Sequence, residues 1–225
     1  MLIFPSDLDA QYQRAVKAWP FFDQIARAAG VPRFLLHAVG SRETNLTNER
    51  GDGGHGHGVF QLDDRWHTIP AGFDTDVALQ AKAAASMLSS LIKHYNGQLY
   101  PAVCAYNAGV GNVDAGIKYH GDPDYWTTHS QGVGYGAEVM ARFHWLRGKY
   151  GPPPVPPWYH RVLRKGSVGS DVTAMKRRLA AHGYRGMVLN PFFGRGADKA
   201  LRAFQTAQKI TPDGACGPTT ARRLG

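Results

Sequence analysis

Five prolines fall within the ten residues Gly148–Pro157, GKYGPPPVPP. Proline lacks the amide N–H and fixes φ, so neither a helix nor a central strand can run through such a stretch. It favours a semi-rigid polyproline spacer, extending about 3.1 Å per residue. The chain is therefore read as a domain over residues 1–148, a linker over 149–157 and a second domain over 158–225. A total of 225 residues is long for one compact helical domain and comfortable for two.

The halves differ in charge. Residues 1–157 hold 13 Lys and Arg against 14 Asp and Glu; residues 158–225 hold 13 against 3. The net charge of +9 thus belongs to the second domain, and such asymmetry predicts a polyanionic partner. The 43% hydrophobic content excludes a disordered chain. Cys104 and Cys216 fall in different domains, so no disulfide framework is expected. Met1–Trp19 is amphipathic, with Asp7, Asp9, Arg14 and Lys17, and lacks the apolar core of a signal peptide. No apolar run is long enough to span a membrane, and no stable membrane insertion is expected.

The first domain reads as mainly α with at most a small β excursion. Ser6 with Asp9 suggests a capping box opening a first helix. Phe21–Ala29 is apolar and stops at Gly30, and Pro32 suits the first turn of a helix that ends near Arg42–Glu43. Residues 44–75 lack a period and are rich in Gly and His, as in a loop with a short hairpin. Val77–Tyr95 carries apolar residues at helical spacing and stops at Gly97; Tyr100–Asn107, Val110–Tyr119 and Gly134–Arg147 are further helices. The second domain reads as a three-helix module: one helix from Ser170 to Gly183, one through Ala197, Leu201 and Phe204, and a short one opened by Gly217-Pro218.

Three segments carry candidate chemistry. Glu43 ends the apolar helix FLLHAVGSRE, where lost hydration raises a carboxyl's pKa and suits it to general acid work. Next comes GDGGHGHGVFQLD, residues 51–63, with Asp52 and Asp63 on either side of a Gly-rich loop; such carboxylates can hold and activate a water. Third is AYNAG, where Tyr106 offers a stacking face and Asn107 both a donor and an acceptor, a mix that binds N-acetylated sugars. His55 and His57 sit two apart, but no third ligand stands at a typical spacing, so no metal site and no cofactor is expected. GVGYG at 132–136 follows no strand and is not read as a dinucleotide loop. Cys104 reads as a core residue.

Taken in order, SRET around Glu43, GDGG…GVFQLD and AYNAGVGNV resemble the goose-type lysozymes and the related soluble lytic transglycosylases, over roughly Phe21–Gly148. The resemblance implies a lysozyme-like helical fold. It makes Glu43 the general acid on the bond between N-acetylmuramic acid and N-acetylglucosamine, with Gln61, Tyr106, Asn107 and His57 in the sugar cleft. Asp52 and Asp63 correspond to the acidic residues that position a hydrolytic water in goose-type lysozymes; transglycosylases lack them and use the substrate's N-acetyl group. The stretch from Glu43 to Asp52 is short for a goose-type enzyme, which makes Asp63 the safer of the two. The second domain resembles the small three-helix peptidoglycan-binding module through LRKGSVGSDVTAMKRRL, FFGRGADKALRAFQ and TPDGACGPTTARRL. Arg177, Arg178, Arg185 and Arg195 are its candidate electrostatic contacts.

The resulting expectation is a monomeric peptidoglycan hydrolase of the endolysin or autolysin kind. It would be made in a bacterial host cytoplasm without a signal peptide and act on the wall after release. The alternatives are a lytic transglycosylase and a non-catalytic wall-binding protein. Nucleic acid is not an expected partner, because the basic domain shows no aromatic stacking platform and no zinc motif.

Overall fold

A computed structural model describes residues 5–152 and 155–225. Residues 1–4 lie outside it, as do Pro153 and Pro154 at the centre of the expected spacer. The chain divides between Gly151 and Pro152 into two compact units.

The first unit is built on α1 (Leu8–Ala18), α2 (Phe22–Ala28) and α3 (Leu35–Thr44), followed by three two-residue strands. These are β1 (Arg50–Gly51), β2 (Gly56–His57) and β3 (Leu62–Asp63), antiparallel in the order β1-β2-β3, with Gly56 opposite Asp63 and His57 opposite Leu62. Then come α4 (Val77–His94), α5 (Leu99–Ala108), α6 (Val110–His120), α7 (Tyr125–Gln131) and α8 (Tyr135–Tyr150). The apolar periods are realised as buried faces: Leu8, Gln11, Tyr12 and Ala15 on α1, and Val77, Gln80, Ala81, Ala84, Ala85, Leu88 and Leu91 on α4. Helix α4 is capped by Asp76, whose carboxylate accepts from the Leu79 amide at 2.9 Å, a device worth about 1 kcal/mol. Helix α5 is buried from Pro101 to Tyr106 because α4, α6 and α8 surround it.

Two helix starts differ from the sequence reading. The Ser6–Asp9 capping box does not form: α1 begins at Leu8 after Asp7, and Asp9 is taken instead by Lys149 at 2.8 Å and by the Tyr150 hydroxyl. Pro32 precedes α3 rather than opening it. Its carbonyl accepts from the Leu35 amide at 3.1 Å, and Phe34 turns the chain at φ 75°.

The second unit holds α9 (Ser170–Ala181), α10 (Arg195–Ala207) and α11 (Pro218–Leu224), the last with Pro218 in its first turn. Its core is Leu163, Val172, Met175, Leu179, Phe193, Leu201, Phe204, Cys216 and Leu224. Gln205 ties the loop before α11, donating to Asp213 Oδ1 (2.8 Å) and Ala215 O (3.0 Å) and accepting from the Gly214 amide at 3.0 Å. Arg178 is occupied: it donates to the Gly225 carbonyl and lies 4.8 Å from the Trp158 ring centroid. Both cysteines are free and buried. Among the described residues no helix is long and apolar enough to cross a membrane.

Candidate active site

Helix α3 is buried along nearly its whole length and packs against α8. It ends because Asn45 and Leu46 both adopt left-handed backbone, φ 54° and 57°. Glu43 therefore stands in the last turn, half-buried, at the wall of a cleft of about 760 Å³. The Tyr135 hydroxyl donates to Glu43 Oε1 at 2.5 Å. Burial pushes the Glu43 carboxyl up to about 7, against the smaller opposing pull of the Tyr135 hydrogen bond and the Arg42 charge. Arg42 is kept to one side by its ion pair with Glu138, and its guanidinium lies 5.4 Å from the Tyr135 ring centroid.

The strands form the facing wall. Gly51 and Gly56 have no side chain because the Gln61 carboxamide lies against both: a Cβ at either would come 2.1 or 2.2 Å from Gln61 Oε1. Gln61 donates to Glu49 O (3.0 Å) and Gly58 O (2.8 Å), so its amide nitrogen is spent on the hairpin while its flank lines the cleft. The hairpin is anchored from behind by buried Gln80. It accepts from the Val59 amide at 3.0 Å and donates to Phe73 O at 2.8 Å and Asn48 Oδ1 at 3.0 Å.

Asp52 and Asp63 both line the cleft, and one guanidinium holds them together. Arg65 Nε lies 2.9 and 3.1 Å from the two Asp63 oxygens, the Arg65 amide donates to Asp63 Oδ1 at 2.8 Å, and Arg65 Nη2 also reaches Asp52. The Arg65 hydrogen bonds hold the Asp63 carboxyl at about 2, well below the usual carboxylate range. A single guanidinium thus bridges two carboxylates that would otherwise repel each other.

Of the other residues expected at the site, Tyr106 and Asn107 line the same cleft at the end of α5. Tyr106 is buried and donates to Phe60 O at 3.0 Å, joining α5 to the hairpin, whereas Asn107 is exposed to the cleft. His57 is not in the cleft. Successive strand residues face opposite sides, so Gly56 faces the cleft and His57 turns away. Its imidazole is buried between Asp74 (Nδ1 to Oδ1, 2.7 Å) and Asp64 (Nε2 to Oδ2, 3.1 Å), at the edge of a separate hollow of about 840 Å³. His55 pairs with Asp64 at 2.7 Å, and among the described residues no three His, Cys, Asp or Glu side chains cluster as a metal site.

Sequence reasoning missed Tyr135, Arg65 and the cleft residues Trp66, His67, Met87, Asn112 and Gln131. Arg65, two residues after Asp63, was visible as a local pairing. Tyr135 was not, for it lies 92 residues from Glu43, at the start of a segment whose pattern showed a helix and nothing of what that helix faces.

With that geometry in view, the comparisons with known proteins are specific. Residues 71–128 match the transglycosylase SLT domain, and residues 168–224 match the putative peptidoglycan binding domain. The first unit is similar to SLT domains and goose-type lysozymes, the second to peptidoglycan-binding domains. Lysozyme g of Gallus gallus is 26% identical over 135 residues, covering 55% of this chain and 61% of the relative. Lysozyme G of Dromaius novaehollandiae is 32% identical over 124 residues, covering 50% and 57%. The chain thus spans about three fifths of the length of these relatives. The SLT match begins at residue 71. It takes in the α4–α6 wall with Met87, Tyr106, Asn107 and Asn112, and leaves Glu43, Asp52 and Asp63 ahead of it.

Proposed function

We propose that the first unit cleaves the β-1,4 bond between N-acetylmuramic acid and N-acetylglucosamine in bacterial peptidoglycan, and that the second unit tethers it to the wall. The observation that carries this reading is Glu43, a carboxyl raised to about 7 in a cleft whose facing wall holds Asp63, a carboxyl lowered to about 2. Such a separation of pKa values divides the roles of acid and base. Protonated Glu43 gives its proton to the glycosidic oxygen as the C–O bond breaks. Asp63, with Asp52, orients a water against the developing oxocarbenium carbon and takes the proton that water releases. The outcome is hydrolysis, with inversion if the water attacks from the far face; an acid-to-base separation of about 6.5–9.5 Å leaves room for it.

A second reading draws on Arg65 and on the SLT similarity. The guanidinium lowers the basicity of Asp63, and a weak base favours attack by the substrate's own N-acetyl group, ending in a 1,6-anhydro sugar. Mass spectrometry of fragments from purified peptidoglycan separates the two. Hydrolysis leaves reducing N-acetylmuramic acid ends; transglycosylation leaves anhydro ends lighter by one water, and that result would reassign Asp52 and Asp63 to structural roles.

A further inference from the structure

The second unit presents an apolar surface that its core does not use. Val168, Val188, Leu189 and Phe192 are 60, 73, 52 and 51% exposed. They are brought together by a buried cation. Lys176, on α9, is 2% exposed, and its ammonium lies 2.8 Å from Val188 O, 3.0 Å from Asn190 O, 2.8 Å from Asn190 Oδ1 and 2.5 Å from Phe192 O. Three backbone carbonyls and a side-chain amide oxygen of one short loop therefore converge on a single nitrogen. With these carbonyls and the Asn190 amide turned inward, the loop turns Val188, Leu189 and Phe192 out. Val168 joins the patch through its antiparallel bridge to Phe192, and the Gly169 amide donates to Pro191 O at 3.0 Å. A buried ammonium is costly unless fully hydrogen-bonded; here that cost is met at the place where the loop is displayed.

Cations border the patch. Lys165 precedes Gly166, whose amide donates to Phe193 O at 2.9 Å. Arg185 and Arg195 flank Gly186 and Gly196, which pack so closely that a Cβ on Gly196 would stand 3.0 Å from Gly186 O. All three cations are exposed.

We propose that this loop is the docking surface of the second unit and that it takes the peptide stem of peptidoglycan. The inference rests on the wall-binding reading above. The chemistry selects the stem over the glycan: three of the four exposed side chains, Val168, Val188 and Leu189, are branched aliphatics that suit alanine methyl groups, and the surrounding cations suit the stem's carboxylates, whereas a sugar ring calls for aromatic faces flanked by amides and Phe192 is the single aromatic of the four. The large positive excess of this unit supplies charge complementarity to the anionic wall.

The test is an NMR titration of the full chain carrying Glu43→Gln, with the soluble stem tetrapeptide Ala–γ-Glu–diaminopimelate–Ala and, separately, with peptide-free glycan oligomers. The tetrapeptide is expected to shift amides of residues 165–168 and 185–195, and the glycan to shift residues around the cleft of the first unit. A Val188→Ser, Leu189→Ser double variant is expected to lose the peptide shifts, to bind sacculi about tenfold more weakly, as for removal of a central contact, and to cleave soluble glycan oligomers at the wild-type rate. Peptide-induced shifts that leave 165–195 untouched, glycan-induced shifts there, or unchanged sacculus binding by the double variant would each overturn the proposal. Cleft signals that ignore the glycan would instead count against the catalytic reading and leave the docking loop standing.

Discussion

At the scale of single residues, Glu43 is the group whose ionisation sets the proposed chemistry. Its carboxyl is set at about 7 by burial, with the Tyr135 hydroxyl stabilising the ionised form. A general acid works while protonated, so activity should fall as pH rises through that value. Tyr135→Phe removes a hydrogen bond to the carboxylate, which raises the Glu43 pKa further. The basic limb of the pH–rate profile is then expected to move to higher pH by about 1 unit, corresponding to about 1.4 kcal/mol. A limb unmoved by that substitution would show that another group sets it. The carboxylates on the facing wall behave oppositely. Asp63, held at about 2 by Arg65, stays ionised across the working range. Asp63→Asn is expected to slow release of reducing ends about 100-fold, the scale of losing a general base. Arg65→Gln keeps the carboxylate but lets its pKa rise, so the acid limb should move upward. Near-wild-type rates for Asp63→Asn would favour the anhydro-forming route.

At the scale of elements, the hairpin matters most, and it is held by glycines and amides. Gly58 has φ +72°, and a Cβ there would come 2.2–2.5 Å from the Gln80 carboxamide. Gly58→Ala combines a left-handed backbone with a collision and disturbs the Gln80 bond to Val59. It is expected to destabilise the first unit by about 2 kcal/mol or more, read as a lower midpoint in thermal denaturation followed by tryptophan fluorescence; an unchanged midpoint would mean the strands tolerate repacking. The helices of both units other than α7 were legible in the sequence because a 3.6-residue apolar period states which face is buried. The two-residue strands were legible only as a possible hairpin, since they are too short to show alternation. Helix α7, Tyr125–Gln131, was not read at all: one residue, Thr127, is buried along it, so it carries no period. For the same reason the facing of His57 could not be read, because a single step of register in a strand exchanges cleft for back wall. The Asp9 cap failed because Lys149 and Tyr150, far along the chain, compete for the same carboxylate.

At the scale of the whole molecule, two units with different charge divide the labour. The first carries the cleft; the second carries the basic excess and the exposed apolar loop tied to Lys176. Tethering a weak binder to a catalytic unit raises the local concentration of the cleft at an insoluble substrate. Raising salt from about 0.15 M to 1 M shortens the screening length from about 8 Å to 3 Å. Binding of the full chain to sacculi should therefore weaken without vanishing, since apolar contact survives screening. Binding indifferent to salt in a pelleting assay would remove charge from the account.

The central claim is that Glu43 is the general acid of a peptidoglycan-cleaving site. Soluble fragments released from purified peptidoglycan by the Glu43→Gln variant, with its fold verified by circular dichroism, test it most directly. The account predicts a folded protein that still binds sacculi and releases no fragments above background. Substantial release by that folded variant would contradict it and move the acid's role to another residue of the cleft.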